Sequence, residues 1–240
     1  MFGLHPNASL SFIIQESTNA LKCIQMLEPR ESAGDGSSDS LMEIITNLQQ
    51  LPARIDISKL NEHLVGDTEK QTLPSMTNFL LQEAEKFNTL LKVMESSLVM
   101  LDKAIKGLVP TNSDLDEMST ALTANSIPLL WRKHCYETMK PLGSFFNDFK
   151  ARMAFMERCF KEQINSYWIS CFFFPQGLLT AFLQTHARKH KIPIDTLSFR
   201  FKLTEVDHEK LIHPKEGGYI YGLYFEGARY DASRDSLQDE

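Results

Sequence analysis

The feature that most limits what this sequence can fold into lies between residues 74 and 106. There the apolar side chains Met76, Leu80, Phe87, Leu90, Met94, Leu98, Leu101 and Ile105 stand three, four or seven residues apart, the spacing of one face of an α-helix. Pro74 falls in the first turn, and Gly107 falls where a left-handed residue closes a helix. Glu83, Glu85, Lys86, Lys92 and Glu95 are left largely on the other faces. An apolar stripe on a helix of about 33 residues has to be covered. It can meet a partner as a coiled coil or neighbouring helices of its own polypeptide, and a single helix of this length favours the second.

Candidate neighbours follow from the same periodicity. Residues 9–27 carry Leu10, Ile13, Ile14, Leu21, Ile24 and Leu27 at helical spacing, and a second helix is expected over 39–51, stopped by Pro52. Between them, 29–40 is rich in Gly, Ser and acidic residues and reads as a loop; a short helix is expected over 58–65. Downstream, Ser113 precedes a helix with Leu115, Met118 and Leu122, and Pro128 opens one with Leu129, Leu130, Trp131 and Cys135. Pro141 starts a longer helix whose inner face is Leu142, Phe145, Phe149, Met153, Met156 and Phe160, with Lys150, Arg152, Arg158 and Lys161 turned mostly away. Pro175 can open a helix ending near Lys191. The period then changes to two: Leu197, Phe199, Phe201 and Leu203 alternate with polar residues, and Tyr219, Tyr221, Leu223 and Phe225 alternate in turn, which predicts strands. The expected fold class is α+β, amphipathic helices followed by a small sheet that two strands alone cannot complete.

Composition narrows function more than fold. With 42% hydrophobic residues in 240, the protein has enough apolar material for a sizeable core in one or two domains. Its net charge of −6 gives no global attraction to nucleic acid or an anionic membrane. Residues 1–120 hold 9 basic and 17 acidic side chains and residues 121–240 hold 16 and 14, so the two halves are expected to differ physically. No run approaches the roughly 18 apolar residues of a membrane span, and no secretory leader is expected at Met1. Cys23, Cys135, Cys159 and Cys171 are scattered and read as buried, reduced thiols.

Catalytic patterns are missing from the sequence. No lysine is followed by Ser or Thr, so there is no P-loop. Gly34-Asp35-Gly36 has no strand before it and reads as a loop. His208-Glu209 with His213 has a spacing of five, which puts the two imidazoles about 140° apart on a helix, too far for a shared zinc. His186 and His190 do stand four apart, but no pattern places further ligands, and Arg188, Lys189 and Lys191 beside them would repel a cation; the reading is a solvated basic helix end. No enzymatic function and no cofactor are expected.

From Pro141 onward the sequence resembles the C-terminal region of dynein heavy chains. Tyr167-Trp168-Ile169-Ser170-Cys171-Phe172-Phe173-Phe174-Pro175-Gln176-Gly177 is similar to that family's Trp-(Ile/Leu)-Ser-Gly-Phe-(Phe/Tyr)-Phe-Pro-Gln signature. Gln184-Thr185-His186-Ala187-Arg188-Lys189 follows, then Ile192-Pro193-Ile194-Asp195-Thr196-Leu197-Ser198-Phe199. Last comes Gly218-Tyr219-Ile220-Tyr221-Gly222-Leu223-Tyr224-Phe225-Glu226-Gly227-Ala228-Arg229-Tyr230-Asp231. Phe2-Gly3-Leu4-His5-Pro6-Asn7-Ala8 resembles the junction with the small subdomain of the last AAA+ module. The Phe-Phe-Phe-Pro-Gln run and the Ile-Asp-Thr-Leu-Ser-Phe stretch look axonemal. Cys171 departs from the family, which usually has Gly there.

The resemblance implies a division into 1–8, the end of the AAA+ subdomain; 9–166, a helical part; and 167–240, the signature, a helix and a small, incomplete antiparallel β-barrel. The protein would be a fragment lacking the motor ring and the last barrel strands. Its implied role is a non-catalytic structural and regulatory segment packing on the parent's AAA+ ring in microtubule-based ciliary movement. Intermediate chains, light chains and microtubules would be reached only through the whole complex, and the location would be cytoplasm, cytoskeleton and the cilium axoneme. The alternative is an independent helical interaction module working through the 74–106 helix. The residues carried over as structural signature are Trp168, Ser170, Phe172, Phe174, Pro175, Gln176, Asp195, Ser198, Phe199, Tyr221, Gly222, Gly227, Ala228 and Arg229.

Overall fold

In the computed structural model, described residues are 14, 17, 44–46, 50–58, 74–204, 206–212, 214 and 217–223, with the backbone of 228–231 and 236–239. The long stripe folds as α1 (Ser75–Ile105), preceded by Pro74 and followed by Gly107 at φ +69°. Four shorter helices follow: α2 (Ser113–Thr123), α3 (Leu129–Arg132), α4 (Leu142–Lys161) and α5 (Pro175–His190). All four pack on α1. Its inner face is spent there: Phe87, Leu90, Leu91 and Met94 have no exposed surface and Leu98 has 1%. Leu90 and Leu98 are thus covered by helices of the same protein, which counts against the alternative reading.

Local chemistry fixes the helix ends. Asn112 caps α2 by accepting a hydrogen bond from the Leu115 N–H at 2.9 Å, and Asp114 and Asp116 in the first turn complement the helix dipole. Pro175 sits in the first turn of α5, which ends on Lys191 at φ +55°. On α3, Trp131 is fully buried and its indole N–H donates to Ser97 Oγ of α1 at 2.8 Å, so the polar edge of the ring is satisfied inside the core. Residues 44–46 are helical, in keeping with the helix expected over 39–51. Ile55 is held to α1 by the Asn88 amide: its N–H donates to Asn88 Oδ1 and its carbonyl accepts from Asn88 Nδ2, both at 2.9 Å. The helix expected over 9–27 lies outside the described residues except for 14 and 17, which are helical; the loop 29–40, the helix 58–65 beyond Ser58, and Cys23 lie outside them too.

The strand half departs from expectation. The α+β class with a small antiparallel barrel is corrected to a mainly helical fold, because no barrel forms among the described residues. Instead β1 (Ser166–Trp168) pairs in parallel with β2 (Tyr219–Tyr221), in the register Ser166↔Tyr219, Tyr167↔Ile220, Trp168↔Tyr221. Separately, β3 (Ala228–Asp231) and β4 (Ser236–Asp239) form an antiparallel hairpin. The alternating stretch 197–203 is irregular and not strand, and the Leu197 N–H donates back to the Ile194 carbonyl at 3.0 Å, closing the turn before it. Alternation in the other stretch ends early, where Gly222 turns to φ +80°. The fold divides into two compact units: residues 35–197 with 208–222, and residues 1–34 with 198–207 and 223–240.

Candidate functional site

The signature residues enter the helical unit as a short, nearly irregular segment: β1, a 3-10 turn over Ile169–Cys171, then Phe172 to Phe174 leading into α5. So little regular structure cannot satisfy its own backbone. Two charged side chains from different helices do it instead. From α4, Arg152 Nη1 donates to the carbonyls of Ser170 and Cys171, the latter at 2.8 Å. The same guanidinium lies 3.9 Å from the Tyr136 ring centroid and 5.5 Å from that of Trp168. From α1, Glu83 Oε2 accepts the Phe173 N–H at 2.5 Å, while Oε1 accepts from Lys86 Nζ at 2.9 Å.

Both charges were expected to face away, yet Glu83 is buried and Arg152 is mostly covered. Glu83 is 1% exposed and the Arg152 side chain 11%. Each needs a counter-charge to stay there. Lys86 serves Glu83; Asp148 serves Arg152, accepting its Nε–H at 2.7 Å together with Lys140 Nζ at 2.6 Å and the Tyr136 hydroxyl at 2.9 Å. Burial raises the Asp148 pKa, but the hydrogen bonds from Lys140 and Arg152 outweigh it and hold the carboxyl below its usual range. Burial pushes the Cys135 and Cys159 thiols up to about 12 and raises Cys171 and Tyr136 as well, so these groups are neutral at neutral pH and none is an activated nucleophile.

Of the signature residues, the structure gathers Trp168, Ser170, Phe172, Tyr221 and Gly222. Phe155 of α4 is the hub, with edge-on contacts to Trp168, Phe172 and Tyr221 at centroid distances of 6.1, 6.3 and 6.3 Å. Gly222 lies flush on the indole: a Cβ there would fall 2.6 Å from Trp168 Cδ1 and 3.1 Å from Ser170 Oγ. Phe174 is 53% exposed, Pro175 starts α5, and Gln176 and Asp195 face solvent. Ser198 and Phe199 belong to the other unit, as do Ala228 and Arg229 in β3, while Gly227 lies outside the described residues. Cys171 does not have a positive φ, so a side chain replaces glycine there without backbone strain. His186 and His190 lie with ring centroids 4.4 Å apart, and no cluster of three His, Cys, Asp or Glu suited to a metal occurs among the described residues.

Reading outward charges from periodicity missed Glu83 and Arg152, although a signal was present. Glu83 lies three residues after Leu80 and four before Phe87, and Arg152 three after Phe149 and four before Met156. A charge standing in an apolar stripe is a buried charge with a partner. For Arg152 that partner is also visible, Asp148 one turn earlier.

The profile of the C-terminal domain of dynein heavy chains matches residues 14–240. The protein belongs to this family. Among similar proteins, human dynein axonemal heavy chain 6 is 33% identical over 265 residues, covering 100% of this sequence and 6% of its own length. Rat dynein axonemal heavy chain 1 is 40% identical over 237 residues, 96% of this sequence and 5% of its own. The dynein-1-beta heavy chain of the flagellar inner arm I1 complex from Chlamydomonas reinhardtii is 38% identical over 245 residues, 98% of this sequence and 5% of its own. This dynein domain thus spans a small part of the relatives it matches, and the resemblance read from its motifs extends over almost all of it.

Proposed function

We propose that this protein is a non-catalytic structural and regulatory C-terminal segment of an axonemal dynein heavy chain, packing on the AAA+ ring of its parent motor in the cilium axoneme. The observation that carries this reading is how two charges from neighbouring helices hold the signature segment. Glu83 and Arg152 direct their hydrogen bonds at backbone groups of residues 170–173 rather than into an open cleft. Such an arrangement holds a segment in place; it does not position a substrate. Intermediate chains, light chains and microtubules are reached through the complex that contains the ring. Axonemal relatives in animals and an alga support the location.

The test is reconstitution. An axonemal dynein motor truncated before its own C-terminal segment is mixed with the 240-residue protein, and binding, ATPase rate and microtubule gliding are measured. Binding with a changed ATPase rate or gliding velocity is expected. Absence of binding, or binding with both rates unchanged, overturns the proposal.

A further inference from the structure

The parallel ladder of β1 and β2 is short for a sheet. Three residue pairs make up all of it, and an isolated two-stranded sheet is marginal in water even when antiparallel. Parallel strands ordinarily occur with both faces covered, yet all three residues of β2 are only half-buried. A cavity of about 280 Å³ lined by Met76, Leu80, Tyr167, Phe182, Pro214 and Gly218 borders the segment just before β2, so the approach to the strand is not close-packed. Ser166 Oγ donates to the His208 carbonyl and Asn165 Nδ2 to that of Leu211, each at 3.0 Å, and the His208 and Tyr221 rings stack at 4.1 Å.

What seats the strand is a pair of glycines, one at each end. A Cβ on Gly218 would fall 2.2 Å from Phe182 Cζ of α5, and one on Gly222 would fall 2.6 Å from Trp168 Cδ1. Each glycine therefore lies flush against an aromatic face, and the rings fix both ends of β2 where three ladder pairs cannot. Phe182 is steadied by the edge of Tyr167 at 5.6 Å, and Trp168 by Phe155 and the Arg152 guanidinium. Gly222 is also the last residue of the helical unit before the backbone passes into the other.

We propose that residues 218–222 form a releasable strap: β2 lifts off β1 as a unit while the helices stay folded, and the two glycine-on-ring contacts set how often it does so. The strap would work in this way whether or not the protein packs on a motor ring.

Amide hydrogen exchange on the full 240-residue protein tests this, because neighbouring glycines separate ring contact from backbone strain. Gly217 has φ +74° with nothing within 4 Å of a new Cβ, Gly218 has the ring contact alone, and Gly222 has both a φ of +80° and the ring. In the wild type, the amides of Tyr219–Tyr221 are expected to exchange at least about a hundredfold faster than those of Leu90 and Phe149, which open only with the whole unit. Gly217→Ala should speed strap exchange about fivefold, the cost of a left-handed alanine. Gly218→Ala should speed it about fiftyfold by overpacking, and Gly222→Ala should exceed both. Where a glycine variant also loosens the helical amides, Phe182→Ala is read in its place and should free the same three amides by removing the ring. Strap amides as slow as those of α1 would overturn the proposal. So would ring-facing variants no faster than Gly217→Ala.

Discussion

Helix α4 and the segment 198–204 are both rich in aromatic rings, yet they hold them differently. In α4, Phe145, Phe146, Phe149, Phe155 and Phe160 are at most 6% exposed. In the segment, Phe199 and Phe201 stack on each other at 5.7 Å and remain 39% and 42% exposed. The difference lies in the backbone. A helix satisfies its own N–H and C=O groups, so an apolar stripe is enough to carry it into a core. A strand has to find those partners elsewhere in the sequence, and a regular alternation of side chains does not supply them.

The contrast can be pressed from its strongest side downwards. Phe149→Ala opens a cavity at a ring with no exposed surface and is expected to cost about 3–5 kcal/mol in urea unfolding. A loss below about 1 kcal/mol would mean that α4 is not a core element. Arg152→Ala should cost about 2–3 kcal/mol, since it strips the Ser170 and Cys171 carbonyls of their donor and leaves Asp148 to Lys140 and Tyr136. Arg152→Lys should recover only part of that, because an ammonium cannot reproduce the fork.

The third expectation concerns acid. The Asp148 carboxyl is held below the 3.8 of the unfolded state, so the stability it contributes is complete above that value and drains away as the pH falls through the lower folded one. Thermal melts of Asp148→Asn should lie below wild type at neutral pH and converge on it in that acid window. A constant gap would mean that the network does not titrate there. Smallest of all, Phe201→Ser should shift stability by no more than about 0.5 kcal/mol, as at an ordinary surface position. A loss rivalling Phe149→Ala would erase the contrast between the two segments.

Legibility followed the same divide. The limits of α1, α4 and α5 were readable from Pro74, Pro141, Pro175 and Gly107, because helix ends are set by nearby residues. β1 was not readable. Its partner β2 begins some fifty residues later, and no local pattern reports a pairing at that distance. The gathering of Trp168, Ser170, Tyr221 and Gly222 was hidden for the same reason; the motif named these residues without saying that a glycine lies on the indole. Glu83 and Arg152 were misread because each was sorted by its charge and not by its place in the stripe.

The sequence has two tryptophans, and they fall one on each side of this divide. Trp131 is sealed in the helical core with its N–H on Ser97, whereas Trp168 is half-buried beneath Gly222. The protein therefore carries two tryptophan fluorophores with separate loyalties. With Trp131 replaced by Phe, the remaining emission follows the strap; with Trp168 replaced, it follows the helices, and comparing the two spectra tells loosening from unfolding without any attached label.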